Sequence, residues 1–517
     1  MPGVYTGSIS RKGRAMTKLQ RNASNPTENQ SNTSEASGQV VTAKVNRRSL
    51  LAGSGAAIAG AAIASAASAK RSNSFNAPAV IQSKKTIPLF TVENDPDTLA
   101  FYENTLRQFQ EQVDPDVELE ISVYQDANIL QFVSTAFQTG TDLGIFSSFE
   151  SQVETWVGQG YLLPLDSIVE SIGADDFLPG TRTVIEGNDY VMPSQANASA
   201  LWARKDLLES VGLQPPRTYD EFIEALEAVH GKDGLVGIAT GVGSVPNLTT
   251  QFFAPYVYQS GWDFFDFEGN LTFDQPAVLE GVKRFANVLG YSTPSLYAAT
   301  YTDILNLFVS GRAVFGTYPG RMGVTVADKA PDLADNITVI PVPAGPFMTG
   351  QLSFGGGSPF CIYADTKYPE EAKAFLEFML SGERLLELSM TVPGHILPPL
   401  YSVRQLVRNY ESEYMSKHGD WVITLLDMVP QAMSPDGMMG AVNNEKFLGR
   451  LTNVCPWGSR IWGTDPVDGR MFQEIMIEGA DPEQAWTKAY ETLASIREEY
   501  LAANPEWSPN PLPTPSA

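Results

Sequence analysis

The chain is 517 residues long, 43% hydrophobic and 18% charged, which is too much for one small domain and predicts two lobes plus appendages. Its 35 Lys and Arg stand against 59 Asp and Glu, a formal charge of −24, and this opposes the counterion release on which nucleic-acid and anionic-membrane binders rely. Two cysteines and three histidines exclude a disulfide framework, a zinc finger and a His-rich metal centre.

The charge is uneven. Residues 1–69 hold eight basic and two acidic side chains, leaving 27 basic against 57 acidic downstream. Asn46-Arg47-Arg48-Ser49-Leu50-Leu51 leads into an uncharged run of Ala, Gly, Ser, Leu and Ile that ends at Ala67-Ser68-Ala69 before Lys70. Paired arginines, a weakly apolar stretch and an A-x-A site form the layout of a twin-arginine (Tat) export signal over 1–69. A transmembrane helix is the alternative, since about 20 uncharged residues can span a bilayer, but a run so rich in Ala, Gly and Ser gains little from lipid.

Downstream, short apolar runs alternate with amphipathic helical patterns. Lys85–Val92 predicts a buried strand, Leu99, Tyr102, Leu106 and Phe109 mark a helix after Pro96, and Val117–Tyr124 predicts a second strand. Ile129, Val133 and Phe137 line the next helix, and Asp142–Phe146 predicts a third strand. This βαβαβ rhythm argues for a parallel sheet with helices on both faces. Thr218 and Glu221 form a capping box before a helix, Pro369-Glu370-Glu371 opens another, and Asp481-Pro482 opens the last. From Asn504 to Ala517, five prolines in fourteen residues predict a disordered or extended tail.

Several segments, in order along roughly 85–500, resemble the extracellular solute-binding proteins of ABC transporters, the family that includes maltose-binding and other sugar-binding receptors. Gly158-Gln159-Gly160-Tyr161-Leu162-Leu163-Pro164-Leu165-Asp166 is similar to its "G-x-L-x-P-L-D" turn. Tyr190 to Asp206, followed by Gly212-Leu213 and Pro215-Pro216-Arg217-Thr218-Tyr219-Asp220-Glu221-Phe222, resembles its crossover strand and "G-L-x-P-P-x-T-x-x-E-F" linker. Gly261-Trp262, Phe308-Val309-Ser310-Gly311-Arg312-Ala313-Val314-Phe315, Gly355-Gly356-Gly357 and Glu371 to Phe378 match further family segments. Thr141-Asp142 and Arg312-Ala313-Val314-Phe315 depart from the usual "P-D" and "K-A-A-M".

The resemblance implies an α/β fold of the two-lobed, type II periplasmic-binding-protein kind, with a ligand cleft between lobes joined by extended crossovers at Tyr190–Ser194 and Ile340–Pro343. It places one lobe in 70–191 and 344–398, the other in 192–343 and 399–503, and the tail in 504–517. It also implies a periplasmic or cell-surface monomer that hands a sugar, polyol or oligosaccharide to a membrane permease, without catalysis, cofactor or metal. Sugars call for flat apolar faces and for planar amides or carboxylates facing vicinal hydroxyls. The candidates are Gln195 and Asn197 after the first crossover, Trp202, Trp262 in a turn, Tyr318 and Arg321 after a strand, Gly356 and Gly357, and Trp457 in a loop. In the first lobe, Ser147, Ser148 and Glu150, with Glu93 and Asn94, follow strand carboxyl ends, where open α/β sheets bind ligands.

Packing accounts for much of this set equally well: Trp202 suits a lobe core, and Gly-rich turns serve turning. His230, His395 and His418 are isolated, and Gly241-Val242-Gly243-Ser244 lacks the lysine of a phosphate loop. Cys361 and Cys455 could pair in an oxidising compartment. An exported polysaccharide-cleaving enzyme, which needs two carboxylates roughly 5–10 Å apart, and a binding protein for a non-sugar solute such as a polyamine are the rival functions.

Overall fold

The computed structural model describes residues 84–124, 128–148, 150–178, 181–266, 268–345, 353–433, 456–463 and 465–509. The segment read above as an export signal, Cys455 and the last residues of the tail therefore lie outside the described residues. Strand β1 (Lys85–Thr91) leads through α1 (Pro96–Gln112) to β2 (Val117–Val123), then through α2 (Ile129–Thr139) to β3 (Ile145–Ser147). β1 pairs in parallel with both β2 and β3, as the alternating pattern predicts. The third strand starts later than the apolar run suggests. Asp142 is diverted into a turn, its carboxylate accepting from the backbone N–H of Gly144 (2.8 Å) and of Lys367 (3.1 Å).

Helices α3 (Glu150–Gly158) and α4 (Asp166–Ile172) follow, then a short hairpin of β4 (Val184–Ile185) and β5 (Asn188–Asp189). The chain leaves this lobe through β6 (Asn197–Ala198) and enters a second sheet at β7 (Ala200–Arg204). After α5 (Lys205–Ser210), α6 (Tyr219–Val229) starts on the predicted capping box, with Thr218 and Glu221 each bonded to the other's backbone N–H. Next come β8 (Val236–Ala239), α7 (Leu248–Tyr258), α8 (Pro276–Leu289), α9 (Tyr301–Val309), β9 (Ala313–Tyr318), α10 (Arg321–Lys329), α11 (Pro331–Ala334) and β10 (Ile337–Ile340). The second sheet runs β10-β7-β9-β8, with only β8 and β9 parallel. All of α7 is buried, which explains why its sequence shows no amphipathic stripe.

The return passes through β11 (Ser353–Gly356) to β12 (Phe360–Ile362), the antiparallel edge of the first sheet, whose order is β12-β3-β1-β2. β11 pairs antiparallel with β6, and Met192 and Phe360 exchange backbone hydrogen bonds of 2.8 and 2.9 Å. The two crossings thus lie side by side as a hinge. The second crossing differs from the expected Ile340–Pro343. Ile340 is still paired with Leu201, Val342 is buried in the second core, and Ala344 bonds to Arg217. Pro341 and Pro343 end an edge strand, where a missing donor is tolerated, rather than marking the hinge.

Helices α12 (Pro369–Met379) and α13 (Gly382–Thr391) complete the first lobe, and α14 (Tyr401–Arg408) straddles the boundary, with Val403 in the first core and Val407 in the second. Leu397 and Val407 already pack in the second core, so the chain passes between the lobes over about 397–407, around the expected 399. Then α15 (Glu413–Met428), β13 (Ala432–Met433), α16 (Gly458–Trp462), α17 (Val467–Gln473) and α18 (Pro482–Ala503) follow, and β13 adds to the hinge sheet beside β11. Asp481 caps α18 through hydrogen bonds from Glu483 and Gln484. Cys361 is buried in β12. No helix among the described residues is long and apolar enough to cross a membrane.

Candidate functional site

A cavity of about 380 Å³ lies between the lobes, near the small end of the roughly 300–1,000 Å³ range of ligand sites. The first lobe contributes Glu93, Asn94 and Asp95, immediately after β1. The second contributes Asn247 and Gln251 at the start of α7, Tyr301 and Asn306 on α9, and Tyr318 and Arg321 where β9 turns into α10. The hinge contributes Gln195, Asn197 and Gly357. The carboxyl ends of β1 and β9 thus face one another across the cleft, the position that open α/β sheets use for ligands.

Arg321 crosses this cleft. Its guanidinium reaches Glu93 and Asp95, each at 2.5 Å, a fork joining α10 of the second lobe to the end of β1 in the first. Burial disfavours the Arg321 charge, yet the two carboxylates outweigh it and raise its pKa. His395, buried on the same wall, is held well below its ordinary pKa by burial and then by the Arg321 charge. It faces the cavity as a neutral ring.

The amides are arranged differently. Gln195 donates its Nε2 to Glu93 (3.1 Å), which fixes the amide orientation and leaves its buried Oε1 without a protein partner among the described residues. Asn247 is a second such case. It is 8% exposed, adopts a left-handed backbone (φ 59°, ψ −3°), and has an unpartnered buried Oδ1. That conformation is disfavoured for most L-residues and tolerated by Asn. Two buried oxygen acceptors at one cavity call for a ligand that donates hydrogen bonds. Gly357 stands where a Cβ would lie 2.4 Å from the Gln195 carbonyl, so its lack of a side chain lets the two crossings touch.

Of the residues nominated from the sequence, the structure brings Glu93, Asn94, Gln195, Asn197, Tyr318, Arg321 and Gly357 together on the cavity wall. Others stand elsewhere. Trp202 is fully buried in the second-lobe core, its Nε1 donating to the Tyr318 carbonyl (3.0 Å). Trp457 is fully buried rather than exposed on a loop, 5.5 Å from Phe265. Trp262 is half-buried against the same core. Gly356 is spent on pairing with Asn197. Ser147 and Ser148 lie buried behind the cavity, Ser147 accepting from the Val92 N–H (3.2 Å). Glu150 opens α3, and its side chain is outside the described set.

The sequence reading missed Asp95, Asn247, Gln251, Tyr301 and Asn306. Asp95 could have been suggested by the carboxylate pair it makes with Glu93 after a strand. Asn247 carries a fainter signal, Val245-Pro246-Asn247 before an apolar run, because its left-handed turn is a tertiary fact. Among the described residues, no group of three or more His, Cys, Asp or Glu side chains could hold a metal ion.

Residues 93–383, more than half of the chain, match the family model described as bacterial extracellular solute-binding protein. A putative binding protein of Brucella abortus is 25% identical over 309 residues, covering 57% of this chain and 72% of the relative. An arabinooligosaccharide-binding protein of Halalkalibacterium halodurans is 28% identical over 261 residues, covering 48% and 56%. Among solved structures, the maltose-bound MalE3 of T. maritima superposes with a TM-score of 0.67 at 20% identity, covering 80% of this chain and 99% of that one. The interlobe cavity, the paired crossings and the family match converge, and the chain belongs to the bacterial extracellular solute-binding proteins.

Proposed function

We propose that this protein is the substrate-binding component of an ABC importer, exported through a twin-arginine signal, that traps a neutral sugar or polyol between its lobes and presents the closed form to a permease. The observation that carries the ligand class is the pairing of charges in the cavity. Arg321 occupies Glu93 and Asp95, while the oxygens of Gln195 and Asn247 stand open. Hydroxyl groups donate to such oxygens and need no net charge. A polyamine finds its carboxylates already engaged by Arg321, and a glycosidase lacks at this pair the free acid and base it would require. Closure follows when a ligand touches both lobes and so binds the closed state more tightly than the open one.

A thermal-shift screen of the protein freed of its export segment tests this, because a ligand bound only to the native state raises the melting temperature by mass action. Selected neutral sugars or polyols are expected to raise it by several degrees and to be recovered unchanged. Cleavage of the bound sugar, or a response to spermidine alone, overturns the proposal. Asn247→Gly supplies a residue at ease in the left-handed region and removes the acceptor. We expect unchanged or slightly higher stability and affinity weakened about five- to tenfold, the worth of one neutral hydrogen bond near 1 kcal/mol. Unaltered affinity in this variant removes Asn247 from the site.

A further inference from the structure

We propose that, with the interlobe cavity as the ligand site proposed above, Asp468 is a positioning residue for it: through Thr250 it clamps the first turn of α7 against α16 and α17, and so holds Asn247 and Gln251 where a ligand meets them. Thr250 Oγ1 donates to Asp468 Oδ2 at 2.6 Å, between residues 218 apart in the chain. At the start of the same turn, the Asn247 N–H donates to the carbonyl of Trp462, the last residue of α16 (3.3 Å). Between them, the Thr249 hydroxyl accepts from the Gly243 N–H (3.2 Å). A Cβ on Gly469 would lie 2.8 Å from the Gly243 carbonyl and 3.3 Å from Thr249 Oγ1, so α17 presses on this turn because position 469 carries no side chain. The turn is thus gripped from behind, while Asn247 and Gln251 line the cavity in front.

The helix does not supply this grip itself. Asn at an N-cap ordinarily accepts from the backbone two or three residues on and so fixes its own helix start. Asn247 occupies the N-cap of α7 yet makes no such bond, and its left-handed backbone leaves the buried Oδ1 without a partner among the described residues. A turn that gives up its local cap needs an anchor from elsewhere in the fold, and the bonds to Trp462 and Asp468 are that anchor.

The choice of a carboxylate points to geometry rather than stability. Asp468 is 2% exposed, and among the described residues no cation pairs with it: Arg470 of its own helix pairs with Asp465 (3.3 Å), and Lys488 of α18 with Glu474. Burial raises its pKa to about 6, offset in part by the hydrogen bonds from Thr250 and from the backbone. A buried charge without a counter-charge costs stability. What it provides is two acceptor oxygens, one for the Thr250 O–H and one for the Gly469 N–H (2.8 Å). A carboxamide of the same shape must turn a donor toward one of these donors.

The test compares the wild type with Asp468→Asn, alone and combined with Asn247→Gly, by chemical denaturation, by hydrogen exchange without ligand, and by titration with D-glucose, D-mannitol and maltose as probes. Asp468→Asn is expected to leave the denaturation midpoint unchanged or higher, yet to raise exchange in the first turn of α7 about fivefold, the worth of one hydrogen bond. Affinity for the probe that binds should weaken by a similar factor. In the Asn247→Gly background the same substitution should cost less than about twofold, because only Gln251 is left to misplace. Thr250→Val removes the bond from its other end, and Thr250→Ser, which keeps the hydroxyl, should restore wild-type exchange and affinity. This second pair keeps the test decisive if Asp468→Asn does not fold. Unchanged first-turn exchange in Asp468→Asn, faster exchange accompanied by a lower midpoint, or equal affinity losses in both backgrounds would reduce Asp468 to a packing residue and overturn the proposal. If none of the three probes binds, the sugar reading fails, while exchange and denaturation still decide the clamp.

Discussion

Trp202→Ala is expected to unfold the second lobe, at about 3–5 kcal/mol, the range for deleting a large buried aromatic. The ring sits in β7, between β10 and β9, and is fully buried. It meets Trp421 of α15 edge-on at 5.5 Å, and a Cβ added at Gly323 would lie 2.5 Å from it, so α10 rests directly on its face. Removing it opens a cavity beneath α10 and leaves the Tyr318 carbonyl without its indole donor. Tyr318 and Arg321 would then lose the platform that aims them at the cleft. Binding should fall because the wall collapses, not because a stacking face is lost. Chemical denaturation distinguishes the two: a ligand contact would leave the midpoint in place and lower affinity, whereas a core residue shifts the midpoint strongly. Trp202→Phe, which keeps most of the volume and loses the hydrogen bond, should fold and bind with a smaller loss.

The aromatic residues show where sequence reasoning stops. Trp202, Trp262 and Trp457 all lie near turns or crossovers, and composition alone could assign each to a cleft or to a core. Burial decides, and burial depends on which helix covers the strand. Local chemistry was better determined. The capping box at Thr218 and Glu221, the Pro369 and Asp481-Pro482 helix starts, and the first parallel strands all follow from short-range rules and appear as predicted. Gln195 and Arg321 were found because a crossover and a strand end constrain where the next side chain points. Asn247 and the hinge strands were not, since two-residue strands and a left-handed turn leave almost no periodic trace. The tail fell between these cases: its prolines predicted extension, yet Trp507 packs on Tyr500 of the preceding helix and on Trp457, fifty residues earlier in the chain.

Arg321→Ala is expected to separate the lobes while leaving each core intact. The fork joins one guanidinium to two carboxylates on the opposite lobe, with side-chain exposures of 19% for Arg321, 11% for Glu93 and 28% for Asp95. Removing the cation from a buried pair costs about 3–5 kcal/mol, and partial exposure of Asp95 brings the expectation to about 2–4 kcal/mol. That penalty falls on the interface, because the partners belong to different lobes. Scattering should show a larger radius of gyration, and ligand affinity should drop with it, since the closed state becomes less populated. Gln195 would also lose its fixed orientation, because Glu93 would no longer be held in place. Arg321→Lys discriminates charge from geometry. A lysine keeps the charge but has no planar fork to satisfy Glu93 and Asp95 together, so it should recover only part of the affinity. Full recovery by lysine would reduce the fork to a simple counter-charge, and an Arg321→Ala protein with unchanged dimensions and affinity would remove the brace from the closing mechanism.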